Sequence, residues 1–202
     1  MENRTACGPI LIAAFLVVGL LACGSARAAG LFGSLRWGEG QRALLAQFAG
    51  KATVLARPID FGDSYAQIVL RNVEVGGVRL IAWLQIDKRT GSLKRIQLER
   101  PRHGVNPAAF RAVVGALVAS YGRPAAACAM RPAAENGYQA SAELDWAKGG
   151  DVIRAIFRDT TLEALEGCWW SIFAPRPCGL TGQMLVRISP KGADRPLCTM
   201  PG

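Results

Sequence analysis

Val78–Asp87 reads VRLIAWLQID, and this stretch decides the fold. Leu80, Ala82, Leu84 and Ile86 alternate with Arg79, Ile81, Trp83, Gln85 and Asp87. That is the period of a strand with one apolar face. Just upstream, Gly76-Gly77 predicts a tight hairpin turn, preceded by the apolar, β-branched run Tyr65–Val75. Downstream, Lys88–Gly91 is a second turn, and Leu93–Glu99 sets Ile96 and Leu98 opposite Arg95, Gln97 and Glu99. Alternation across adjacent hairpins predicts an antiparallel meander with one buried face. Before the meander, Thr53–Arg57 is a short strand ended by Pro58. A helix over Glu39–Ala49 precedes it, with Leu44, Leu45 and Phe48 on one side and Gly50 as its stop.

A second segment repeats the order. Asn106 is a good N-cap and Pro107 suits the first helical position. Phe110, Val113, Val114, Leu117, Val118 and Tyr121 then form one apolar stripe, and Gly122 and Pro124 end the helix. A helix of this length is marginal alone in water, so the stripe must lie on a sheet. Strands are expected at Ala125–Met130, Tyr138–Ala147, Val152–Arg158 and Cys168–Phe173, with Lys148–Asp151 a turn and 160–166 a helical turn or polar loop. The chain thus reads twice as a helix followed by about four strands, over 38–100 and 106–174. The predicted class is α+β: an antiparallel sheet, or a pair of sheets, packed by two helices. After Pro175 the composition shifts to Pro, Gly and Arg. Residues 175–202 are expected to be an extension pinned by a disulfide, with Met184–Ile188 adding one edge strand.

The first 28 residues carry the marks of an export signal. Arg4 gives a positive start, Ile10–Leu21 is an apolar run bounded by Pro9, and Ala26-Arg27-Ala28 offers a cleavage site. The run is too short for a good membrane span. Cys7 and Cys23 fall in this leader, whereas Cys128, Cys168, Cys178 and Cys198 follow it. An even number in an oxidising compartment predicts two disulfides. Of three pairings, the expected one is Cys128 with Cys168 and Cys178 with Cys198. Closing the second loop stabilises by about 3 kcal/mol on chain-entropy grounds. Leu20-Leu21-Ala22-Cys23 resembles the lipobox of bacterial lipoproteins, which makes Cys23 a candidate for lipidation and membrane tethering.

The formal charge is +9. In an exported domain that balance favours anionic partners: lipid headgroups, acidic glycans or acidic proteins. Lys88, Arg89, Lys94, Arg95, Arg100 and Arg102 are the densest basic run. It reads either as a landing site for an anionic surface or as protection of a sheet edge. Consecutive Trp169 and Trp170 must point to opposite faces of a strand, leaving one as a candidate binding anchor. Nucleic acid is not expected, because interleaved aromatic platforms are lacking.

Gly62-Asp63-Ser64 resembles the nucleophile block of the GDSL esterases, which implies attack by Ser64 on an ester. Such a serine needs a base. The single histidine, His103, follows Arg100-Pro101-Arg102 and not an aspartate three residues back. Asp60 with Asp63, and Glu163 with Glu166, are candidate carboxylate pairs, catalytic only if their pKa values are driven apart. One histidine and no Cys-x-x-Cys spacing argue against a zinc site. No phosphate-cradling glycine loop is present, and no cofactor is expected.

The Trp37-Gly38 lead into a helix, and Tyr121-Gly122-Arg123-Pro124 before strands carrying Trp146, resemble patterns in uncharacterised bacterial exported α+β proteins. The element order is similar to small outer-membrane assembly lipoproteins and to β-lactamase-inhibitor-like modules. That resemblance implies a protein-binding role without catalysis. The expectation is a periplasmic or secreted non-enzymatic module that binds a protein or envelope component. Its rivals are a small hydrolase built on Ser64 and His103, and a lipid-anchored assembly factor.

Overall fold

A computed structural model describes residues 32–33, 35–101, 104–130, 138–160 and 183–193. The described elements run α1 (Gln41–Gln47), β1 (Ala52–Asp60), β2 (Ser64–Val75), β3 (Val78–Asp87), β4 (Leu93–Glu99), α2 (Pro107–Tyr121), β5 (Ala126–Met130), β6 (Tyr138–Lys148), β7 (Asp151–Thr160) and β8 (Gln183–Pro190). The strands form one antiparallel sheet in the order β1-β2-β3-β4-β8-β7-β6-β5. Two meanders therefore lie side by side, joined through their last strands.

The alternation read in β3 propagates across the sheet. Ile68, Leu84, Ile96, Ile188, Ile153 and Trp146 stand in register from β2 to β6. All are buried in one cluster with Leu44 of α1 and with Phe110, Val113 and Leu117 of α2. Burying an aliphatic side chain of this size contributes about 1.5–3 kcal/mol, so this layer is the main source of stability. The cap of α2 is as the sequence predicts: Ala109 N donates to Asn106 Oδ1 at 3.0 Å, behind Pro107. Gly122 caps its other end with a φ of 81°, which glycine adopts at little cost.

Helix α2 packs on β2 and β3 of the first meander, and Phe110 meets Phe157 of β7 at 5.3 Å. The contact explains Gly76, whose φ is +59°. A Cβ there would sit 2.3 Å from the Ala112 carbonyl oxygen, inside backbone that cannot yield. Gly76→Ala is expected to cost about 2–4 kcal/mol, from left-handed strain and overpacking together. Gly77, with φ +74°, faces open space. Gly77→Ala should therefore cost only about 1–2 kcal/mol of strain. Urea midpoints at unchanged slope would show the difference.

Four expectations need correction. Met184–Ile188 does not form an edge strand: β8 lies between β4 and β7. Pro58 does not end β1, which continues to Asp60. An edge strand tolerates the missing N–H, and the register with β2 slips between Val54 and Ile59. Lys94 and Arg95 are not on a sheet edge, because β8 pairs with the far side of β4. Finally, the polar face of the meander is not simply open to solvent: Gln85, Gln97 and Arg154 are at most 4% exposed.

Candidate functional site

One residue along from the apolar row, the same six strands build a polar one. Val69, Trp83, Gln97, Arg187, Arg154 and Asp145 stand in register on the opposite face. Among the described residues both helices bury their apolar side chains on the other face. This polar face gathers most of the chemistry-bearing side chains of the described sheet.

Its first cluster is centred on Gln85, which is fully buried. Arg95 Nη1 donates to Gln85 Oε1 at 2.8 Å, and the Ser64 hydroxyl lies 3.2 Å from the same oxygen. Gln85 Nε2 donates to Gln97 Oε1 at 3.3 Å, which also accepts from Arg187 Nε at 3.0 Å. Gln97 Nε2 in turn donates to Glu99 Oε1. Four strands, β2, β3, β4 and β8, are thus tied through two amide side chains that are both donor and acceptor. The second cluster is ionic. Arg154 Nε lies 2.9 Å from both Glu143 Oε1 and Asp145 Oδ1, and Arg154 and Glu143 are almost wholly buried.

The sequence candidates fall into place around these clusters. Ser64 is fully buried and its hydroxyl lies 3.1 Å from Asp63 Oδ1. A nucleophile would need access and a base. Asp60 and Asp63 are not a split pair. Lys88 donates to Asp60 at 2.8 Å, and Lys94 lies 2.9 Å from Asp63. Each lysine contact holds its carboxyl below the ordinary range. Both stay ionised together, the reverse of what acid–base chemistry requires.

Three of the six side chains of the basic run, Lys88, Lys94 and Arg95, lie against acids. Lys88 pairs with Asp60, and Lys94 with Asp63 and Asp87. Arg95 is 8% exposed and lies 3.6 Å from Asp63. Arg100 donates weakly to the Gly104 carbonyl at 3.5 Å. The two aspartates raise the Lys94 pKa. Arg102, His103, Glu163, Glu166, Trp169, Trp170, Cys23, Cys168, Cys178, Cys198, the leader and the strand expected at Cys168–Phe173 lie outside the described residues. Cys128 is disulfide-bonded, and its partner is likewise outside them.

Asp87 illustrates how tightly the acids are held. It accepts from Lys94 Nζ at 3.0 Å, from Thr90 N at 3.0 Å and from Arg89 N at 2.9 Å, closing the β3–β4 turn. These bonds, the Lys94 one foremost, bring its pKa from 3.8 to about 2. A depressed folded-state pKa stabilises above the unfolded value and ceases to do so as pH falls through the folded one. Asp87→Asn should therefore be less stable than wild type at pH 6. The gap is expected to shrink below pH 4 and to close near pH 2, as urea titrations at each pH would show.

Two tryptophans from the sequence motifs have structural tasks. Trp37 Nε1 donates to Asp151 Oδ1 at 2.6 Å, fastening the N-terminal lead to the β6–β7 turn. Trp146 Nε1 donates to the Gly122 carbonyl at 2.8 Å, fixing the end of α2 to β6. The sequence reading missed Gln85, Gln97, Arg154 and Arg187 as a group. Their signal was period-two placement on four strands, but only the strand order makes them neighbours.

Among the described residues no cluster of His, Cys, Asp and Glu could hold a metal ion, and no helix is long and apolar enough to cross a membrane. Comparison of the chain with protein families, with curated proteins and with solved structures finds no match.

Proposed function

We propose that this is an exported, non-enzymatic module that binds a protein or an anionic envelope component. The observation that carries the reading is the state of its reactive groups. Ser64 is sealed in the fold against Gln85, and Asp60, Asp63 and Asp87 are all held ionised by lysines. The polar face spends its charges on its own structure, which suits a scaffold better than a catalyst.

The Cys128 disulfide supports an oxidising compartment, and with it cleavage of the leader after Ala28. On this reading Cys128 pairs with Cys168 within the second helix-plus-strands segment, and Cys178 pairs with Cys198 within the C-terminal extension. Intact mass of the exported protein should give a start at Ala29 and no free thiols. A start at an acylated Cys23 would place the protein on a membrane instead.

The test of the function is a panel of short-chain esters assayed with wild type and Ser64→Ala. No Ser64-dependent turnover is expected from either. Turnover in wild type that disappears in Ser64→Ala would overturn the reading in favour of a hydrolase.

A further inference from the structure

The edges of a sheet are where a strand-rich protein meets other chains, because their backbone N–H and C=O groups lack partners. Among the described residues, strand β1 is such an edge. Its burial falls off along its length until Ala56–Asp60 are all exposed. Val54 and Ile59 are 52% and 41% exposed, and they lie in β1 itself.

Protection of this edge is confined to one half. Leu55–Pro58 carries the register slip and the proline, two devices that block added strands. Ala52, Thr53 and Val54 instead pair regularly with Leu70, Val69 and Ile68. That leaves a regular outer margin beside an exposed valine.

Charge says what fits there. Lys51, Arg57 and Arg71 are exposed on or beside this margin and make no ion pair among the described residues. The acid of β1, Asp60, is already taken by Lys88 at 2.8 Å. The margin is therefore apolar at its centre and positive at its ends. A second copy is a poor occupant: antiparallel self-pairing centred on Val54 would set Lys51 opposite Arg57 of the other chain. Like charges directly opposite across strands repel.

We propose that the Ala52–Val54 margin of β1 takes an extended acidic peptide segment of a partner protein as an added strand, with Lys51 and Arg57 flanking it. Main-chain bonds give such a complex its affinity, and side chains give it selectivity. Acidic residues near each end of the segment would meet Lys51 with Arg71, and Arg57, while an apolar residue covers Val54. The inference rests on the reading of the protein as a binding module and supplies the chemistry of its partner.

The test uses two eight-residue capped peptides, one alternating valine with glutamate and one valine with lysine, titrated by calorimetry into the full mature chain. The glutamate peptide is expected to bind at least about tenfold more tightly, a difference of about 1.4 kcal/mol, and more weakly as salt is raised. Lys51→Glu with Arg57→Glu should reverse the preference while the circular dichroism spectrum stays unchanged. Absence of binding by wild type, or equal binding of both peptides, would overturn the proposal. A photo-crosslinking residue at Val54, compared in cells with one at exposed Val118 on α2, separates the two levels. An adduct at Val118 alone sinks the β1 margin but leaves a binding module. An adduct at neither, together with Ser64-dependent ester turnover, sinks both.

Discussion

Arg154→Ala is expected to destabilise the protein by about 3–5 kcal/mol, the usual cost of removing one member of a buried ion pair. Arg154 is 4% exposed and serves two acids at once, Glu143 and Asp145. Without the guanidinium, the buried Glu143 carboxylate loses the cation 2.9 Å from it. Removing both partners is the control. Arg154→Met with Glu143→Leu removes the buried acid and leaves only the part-exposed Asp145 without its cation, and should recover much of the loss. Chemical denaturation of the two variants at pH 7 measures the difference. If the double variant were as unstable as the single, the cluster would be contributing net stability and not merely avoiding a penalty.

The second large effect is at Trp146. The side chain is 1% exposed, closes the apolar row at β6 and donates to the C-cap carbonyl of α2. Trp146→Ala should cost about 3–5 kcal/mol through the cavity and lost contacts. Trp146→Phe keeps most of the volume but leaves the Gly122 carbonyl without its donor. Gly122 is exposed, so water can replace the indole donor, and loss of the bond itself is expected to cost about 0.5–1.5 kcal/mol, well short of Trp146→Ala. Amide exchange would localise it: protection should fall first in the last turn of α2, around Val118–Tyr121. Exchange unchanged there would mean that the indole bond does not anchor the helix.

Both effects depend on neighbours supplied by pairing rather than by sequence proximity. The Trp146 row could be anticipated in part, since Ile153 and Trp146 flank a short turn and Leu84 and Ile96 another. Ile188 could not be, because its place beside Ile96 and Ile153 follows from two long-range pairings. The polar clusters were less legible still. Arg154 and Asp145 face each other across one hairpin, but Gln97 and Arg187 are ninety positions apart. Ser64 looked like a nucleophile because its local motif is that of one, and burial against Gln85 could not be read from three residues.

Local periodicity and end signals were set by the chain alone: the strands on either side of Gly76-Gly77, the cap at Asn106 and the stop at Gly122 each depend on residues a few positions apart. Tertiary structure decided which strands became edges, where β8 inserted, and which polar groups left water. An edge is defined only by the partner a strand lacks, and burial only by what lies beside it, so neither property exists until distant segments have met.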